Sequence, residues 1–394
     1  MQLNPFDFAA TPFIHFGVGK RDILPGILAS YGSRVLLISG GTSFDASPLC
    51  QVLWSKLEQE FVIFRERVNQ EPTPKMVDDW VAKYRYESID VVLVIGGGSA
   101  VDAGKVVAGL LPTGDSVMAY LEGVGRGEVF QGFTTPFVAV PTTAGTGGET
   151  SKNAVLSVVG ENGFKKSFRH ESLVAKHIIL DPAFTVSCSA STTAACGMDA
   201  FTQLLESYVS PKASVMTDAL AWSGLQSVSK GLMAAFNDGT DIEARAAMLY
   251  ASSISGLTLA NAGLGSVHGL ASPLGAFFPI PHGVVCGTLL FEATRINIKA
   301  MLVRDVSNDA LKKYASVGRL LMDDVSLDDN EAHQSLLGIL EMWQLQLQMP
   351  CLSAYGIQAD DFERIIASIS SGSVATNPIA LHHDELLALL SSRL

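Results

Sequence analysis

Two histidines, His268 and His282, bracket a run of small and apolar residues, GLASPLGAFFPIP. Upstream, the run CGMDAFTQLLESY carries Asp199 and, four places on, Gln203. Positions i and i+4 share one face of a helix, so a carboxylate and an amide oxygen can converge there. Two imidazoles added to that pair make a divalent-metal site with nitrogen and oxygen ligands. The plainer alternative is that two of eight histidines lie near glycines by accident. Spacing alone leaves both open.

A second chemistry is written in glycine. Gly96-Gly97-Gly98-Ser99 directly follows the apolar run DVVLVI and opens a helical pattern. Glycines let backbone N–H groups approach a phosphate, and a helix N-terminus favours its charge. The loop Pro141-Thr142-Thr143-Ala144-Gly145-Thr146-Gly147-Gly148-Glu149 also follows an apolar run and is rich in hydroxyls and glycines. Two such loops at the carboxyl edge of one sheet suit a pyrophosphate with its riboses. Neither GxGxxG nor GxxxxGK[ST] occurs there, so the two commonest nucleotide motifs are absent.

These residues must be carried by the surrounding elements. Arg34–Ser39, Asp90–Ser99, Pro136–Thr143 and Lys176–Pro182 are continuous apolar runs, as expected of strands buried on both faces. Helical spacing at Thr73–Tyr84 and Val101–Leu111 between them predicts a doubly wound α/β domain. Beyond about residue 184, Ser189–Tyr208, Val215–Phe236, Ile242–Asn261 and Asp360–Ser370 read as helices, with no comparable strand run. The division expected is 1–183, a dinucleotide-binding α/β domain, and 184–394, a helical metal and substrate domain.

The chain has 394 residues, 48% hydrophobic and 17% charged, with a mean hydropathy of +0.29. That is ample for a large core, and the low charge predicts an oligomer. The net charge of -12 argues against nucleic acid or an anionic membrane as partner. Five scattered cysteines without a CxxC pair predict reduced thiols in a cytoplasm. The N-terminal stretch lacks the pattern of a signal peptide. Glu206, seven residues after Asp199, is expected to make a structural hydrogen bond. Phe277 and Phe278 are expected to pack in the core or line an apolar pocket. His382 and His383 read as an exposed helix start, and His15, His170, His177 and His333 as surface residues.

GGGSAVDAGK (96–105), PTTAGTGGET (141–150), CGMDAFTQLLESYVS (196–210) and HGLASPLGAFFPIPHG (268–283) together resemble the iron-containing, or group III, alcohol dehydrogenases. The resemblance runs from PFIHFGVG near the start to TNPIAL near the end. It implies a Rossmann-like N-terminal domain and an all-α C-terminal domain, the architecture shared with dehydroquinate synthase, with the site in the cleft between them. It also implies NAD- or NADP-dependent interconversion of a small alcohol and an aldehyde or ketone, one divalent metal such as Fe2+ or Zn2+, and a homodimer. By motif, Gly97, Gly98 and Ser99 would hold the pyrophosphate, with Asp102 near the cofactor. Thr142, Thr143 and Thr146 would hold the ribose and nicotinamide side. Lys165 matches a lysine near the nicotinamide ribose and is the nearest alternative electrophile. Asp199, His268 and His282 match three of four metal ligands and carry the catalytic centre.

Three departures from the family pattern matter. The fourth metal ligand, a histidine in relatives, is here Gln203, a weaker donor to iron or zinc. A second histidine by the nicotinamide, thought to help move the proton, is here Ser272, a poor acid or base near pH 7. The aspartate that holds the adenine ribose in NAD-preferring relatives is here Gly40, so the 2′-phosphate of NADP is not repelled. Ser39, Thr42 and Ser43 could donate to that phosphate, and no lysine or arginine follows before Lys56. Gly148 replaces a serine. Two alternatives follow from these departures and from the architecture. One is a cofactor-binding relative with weakened or lost metal. The other is a dehydroquinate synthase-like lyase, which would need several lysines and arginines where 199–282 offers only Lys212, Lys230 and Arg245.

Overall fold

The computed structural model describes residues 5–369 and 371–394. Eight strands run in chain order: β1 (Phe13–Phe16), β2 (Arg34–Gly40), β3 (Val62–Val68), β4 (Val91–Gly96), β5 (Phe137–Pro141), β6 (Asn153–Val158), β7 (Phe164–Arg169) and β8 (His177–Leu180). Six of them form one parallel sheet in the order β1-β8-β5-β4-β2-β3, while β6 and β7 form a separate antiparallel hairpin. Every residue of β4 and β5 is buried. That burial is why their sequences are unbroken apolar runs. The expected doubly wound domain is present, with helices α1 (Leu24–Ala29), α2 (Thr42–Ala46), α3 (Pro48–Glu60), α4 (Pro74–Tyr84) and α5 (Gly98–Leu110).

Chain direction across the sheet reverses between β2 and β4: β3 lies beyond β2 on one side, β5 beyond β4 on the other. Ligands of open α/β sheets bind at the carboxyl ends of strands at such a switch point. Gly40 ends β2 there and Gly96 ends β4. A Cβ on Gly96 would stand 2.9 Å from the Gly40 backbone nitrogen, so a larger residue would push the two strand ends apart.

The second half is entirely helical among the described residues. It comprises α6 (Ala190–Val209), α7 (Val215–Asn237), α8 (Ile242–Ala262), α9 (Ser266–Phe277), α10 (His282–Arg304), α11 (Asp309–Met322), α12 (Asp329–Gln346), α13 (Phe362–Ala367), α14 (Ser371–Val374) and α15 (His383–Ser391). α6 is its axis and packs against α7, α8 and α10. No helix of the described residues is long and apolar enough to cross a membrane.

The halves meet at the loop after β5. Gly147 takes a left-handed φ of 59°, and a Cβ there would strike the Ser252 carbonyl and Gly256 of α8. Thr150 Oγ1 lies 3.1 Å from the Ser253 carbonyl oxygen, and the Cys188 thiol 3.3 Å from that of Thr142. Lys105, buried in α5, donates its Nζ to the carbonyls of Gly148, Ser151 (2.5 Å) and Asn153 (2.8 Å). One ammonium thus ties the helix of the first glycine loop to the whole second loop.

Two sequence expectations need correcting. His333 is buried, with Nε2 on the Leu311 carbonyl at 2.8 Å, so it is a core histidine and not a surface one. His15 and His177 are not isolated either: their rings stack, with centroids 5.4 Å apart. His382 and His383 do open an exposed helix, α15, through a capping box with Glu385.

Candidate metal centre and cofactor cleft

Asp199 and Gln203 share a buried face of α6, one turn apart. His268 sits in the first turn of α9, and His282 begins α10 after Pro281. The fold brings the three together. Asp199 Oδ1 lies 3.2 Å from His268 Nε2 and 3.6 Å from His282 Nε2. A fourth group joins them: Cys286, one turn after His282 on α10. The ligand atoms of Asp199, His268, His282 and Cys286 all lie within 4.8 Å of one another. The i, i+4 spacing that singled out Asp199 and Gln203 also holds for His282 and Cys286, and it was the signal available in the sequence for this thiol.

Gln203 points into the same cluster with its amide nitrogen, which donates to Asp199 Oδ1 at 3.3 Å. Its amide oxygen faces Ser255 Oγ at 3.2 Å. Glu206 makes the structural hydrogen bond expected of it, and makes it to the site. One carboxylate oxygen lies 2.6 Å from His268 Nδ1 and the other accepts from the Val267 backbone N–H at 2.8 Å. Glu206 thereby satisfies an orphan donor at the start of α9 and fixes the histidine ring. Asn377, in the TNPIAL segment, accepts from the neighbouring Ser266 N–H at 3.0 Å.

This arrangement fits a cation. Both nitrogens of His268 face carboxylates, so the ring must carry two protons if nothing else sits there. Burial opposes that charge, yet Cys286, Glu206 and Asp199 hold its pKa well above the usual value. Burial would likewise raise Asp199, but His282, His268 and Gln203 bring it down to about 2. Burial, with Lys165 and His268, pushes His282 down to about 4 against the pull of Asp199. Burial pushes the Cys286 thiol up to about 12. His282 Nδ1 is buried without a hydrogen-bond partner among the described residues. One carboxylate, two imidazoles and a thiol converging between α6, α9 and α10 are donors for a borderline-soft divalent metal.

The glycine loops abut as expected. α5 begins at Gly98 with Gly97 as its cap. A Cβ on Gly97 would stand 3.1 Å from Thr143 Oγ1, and one on Gly98 3.1 Å from Thr146 Oγ1. Asp102 lies on the same helix, and burial raises its carboxyl to about 7 against the pull of Lys105. Lys165, on β7, joins the two halves. Its Nζ bonds Glu71 at 2.6 Å, its carbonyl accepts from Ser272 of α9 at 3.1 Å, and its chain runs 3.4 Å from the place a Gly275 Cβ would take. Glu71, which sequence reasoning missed, also accepts from Ser157 Oγ at 2.7 Å.

At the far end of the cleft the sequence misled. Along the Gly40 loop no cation precedes Lys56, but the adjacent strand supplies two. Arg65 donates to Ser39 Oγ at 3.1 and 3.0 Å. Arg65 and Arg67 pair with Asp45 at 2.9 and 3.1 Å. The Thr42 side chain lies outside the described residues. Phe277 and Phe278 stack under the Arg364 guanidinium at 4.4 and 5.7 Å and pack on the helical core.

The family model described as "Iron-containing alcohol dehydrogenase" matches residues 11–182, and "Fe-containing alcohol dehydrogenase family, C-terminal" matches 193–394. The chain belongs to the iron-containing alcohol dehydrogenase family. It is 35% identical over 384 residues to a long-chain-alcohol dehydrogenase of Geobacillus thermodenitrificans, covering 96% of this chain and 94% of that protein. It is 31% identical to a 1,3-propanediol dehydrogenase of Klebsiella pneumoniae, covering 81% and 80%. Its fold matches the crystal structure of a 1,3-propanediol oxidoreductase with a TM-score of 0.86 at 25% identity, covering 99% and 100%. The chain is therefore an alcohol dehydrogenase of the iron-containing type, moving hydride between a nicotinamide cofactor and an alcohol or aldehyde at a metal site. The two alternatives are not favoured. Buried Arg245 spends its N–H groups on Gly239, Thr193 and Cys188, and Lys212 and Lys230 are exposed, so these three do not form a basic pocket for a sugar phosphate.

Glu206→Gln keeps the shape of the His268 support and removes its charge. Metal affinity, measured by competition with a chromogenic chelator, should fall about 10–100-fold, the usual cost of losing an outer-shell partner. An unchanged affinity would contradict the role given to Glu206.

Proposed function

We propose that Asp199, His268 and His282 hold one divalent ion, Fe2+ or Zn2+, and that a nicotinamide dinucleotide lies along the cleft above them. The observation that carries this is the convergence of one carboxylate and two imidazoles near Lys165, whose strand meets α9 at Ser272. Held by Asp199, His268 and His282, the metal would supply Lewis-acid polarisation of a substrate oxygen, and the nicotinamide would supply the hydride chemistry. The protein's share is position and field. Gly97, Gly98 and Ser99 offer backbone N–H groups to the pyrophosphate. Asp102 lies near the cofactor, Thr142, Thr143 and Thr146 hold the ribose and nicotinamide side, and Lys165, oriented by Glu71, anchors the nicotinamide ribose. Ser272 spends its hydroxyl on the Lys165 carbonyl, so it steadies that lysine in place of the family's proton-moving histidine. The substrate is a small alcohol or aldehyde, and the cleft lies between units 1–183 and 184–394.

Removing metal with a chelator should abolish aldehyde-dependent oxidation of the reduced cofactor, and re-adding iron or zinc should restore it. Undiminished turnover by a verified metal-free protein would sink this assignment.

NADP is accepted, because Gly40 offers no carboxylate and Arg67, facing Ser39 across the β2–β3 ladder, can turn from Asp45 to a 2′-phosphate. Arg67→Gln should raise the Kd for NADPH about tenfold, near 1.4 kcal/mol, and leave that for NADH within about twofold. Equal losses for both cofactors would remove Arg67 from the specificity.

The protein works as a cytoplasmic homodimer. Every cysteine is free, and edge strand β1 exposes Phe13, Ile14 and Phe16, an apolar edge open to pairing. A sedimentation mass of two chains is expected; a mass of one chain would contradict it.

A further inference from the structure

We infer that Cys286 supplies the fourth protein ligand of the metal centre as a thiolate, and that Gln203 serves instead to hold the Asp199 carboxylate. The inference rests on the metal assignment proposed above and goes beyond it in naming a donor that the family motif does not contain.

Geometry is the first support. Cys286 Sγ lies 3.6 Å from His268 Nε2 and 3.9 Å from His282 Nε2. Zinc takes sulfur at about 2.3 Å and nitrogen or oxygen at about 2.0–2.2 Å, so the edges of a tetrahedron around it are roughly 3.3–3.6 Å. The sulfur–nitrogen distances and the Asp199–histidine distances of 3.2 and 3.6 Å bracket those edges. The remaining donor pairs lie within 4.8 Å, and the substrate oxygen would enter as a fifth ligand.

Chemistry is the second. Cys286 is fully buried, and the two histidines are the only hydrogen-bond contacts of its sulfur among the described residues. Gln203 is otherwise engaged. Its amide nitrogen donates to Asp199 Oδ1 and its oxygen accepts from Ser255 Oγ. The amide that replaced the family's histidine thus remains in the cluster as a donor to the carboxylate. The missing ligand is restored from a neighbouring helix.

The two candidate donors pull selectivity in opposite directions. An amide oxygen would weaken binding and favour harder ions. A thiolate favours thiophilic ions, zinc over iron or manganese, and is deprotonated when it ligates. The thiol proton leaves to solvent as the metal enters.

The test uses the full-length protein stripped of metal and reloaded with cobalt(II), read by absorption spectroscopy. The wild type should show a near-ultraviolet thiolate-to-cobalt charge-transfer band beside the visible ligand-field bands. Cys286→Ser should lose the charge-transfer band while keeping ligand-field bands. Its zinc affinity should fall by at least about tenfold, a scale already reached by outer-shell changes. Gln203→Ala should keep the band. Cobalt bound stoichiometrically by the wild type without that band would overturn the thiolate ligand and leave the metal assignment standing. A wild type that takes up no cobalt at all would overturn both. The wild-type spectrum decides the question even if a variant fails to fold.

Discussion

The structure turns on a carboxylate buried in a helical core. Asp199 is almost fully enclosed on α6, and an ionised group in such a place is costly unless it is paired. Its partners arrive from two helices distant in sequence, α9 and α10, through His268 and His282. A second carboxylate, Glu206, stands behind His268. Two buried acids around one imidazole require a positive charge between them. A proton fills that requirement poorly, since it ties down His268 and leaves His282 facing the same oxygen with its own pKa depressed. A divalent ion would satisfy all the donors at once, and the meeting of α6, α9 and α10 would then be tied to metal binding.

The other half of the site depends on closeness rather than charge. Gly96 lets β4 end against Gly40, Gly97 and Gly98 let α5 start against the threonine loop, and Gly147 lets that loop lie on Gly256 of α8. Lys105 fastens the loop from behind with bonds to carbonyls. The glycine turns and the helices that carry Asp199, His268 and His282 are thus held in one body. Lys165, with Glu71 on its ammonium and Ser272 on its carbonyl, spans what remains between them.

Much of this was legible in the residues. Buried β2, β4, β5 and β8 are continuous apolar runs, and both glycine loops follow from them. Asp199, His268 and His282 stood out by type and spacing, which left their role open, and the long motifs declared the family. What escaped had a physical reason. β1 and β3 are edge strands, so Phe13 and Ile14 lie exposed and Arg65 and Arg67 interrupt the apolar pattern. β6 and β7 form a hairpin whose FKKSFR strand is mostly polar. Arg65 and Arg67 reach the Gly40 loop across a strand pairing, a proximity that no reading along the chain reveals. Buried His333 had no partner pattern because its partner is a backbone carbonyl. Cys286 was hidden by its residue type: a lone cysteine without CxxC reads as a core thiol, and only the i, i+4 relation to His282 marks it.

The central claim is that one cation sits between α6, α9 and α10. The most direct measurement is an anomalous-difference map, collected at the zinc absorption edge from crystals grown with zinc and cofactor. The account predicts a single strong peak within bonding distance of Asp199, His268 and His282. A map without density there, with those side chains still turned towards one another, would contradict it.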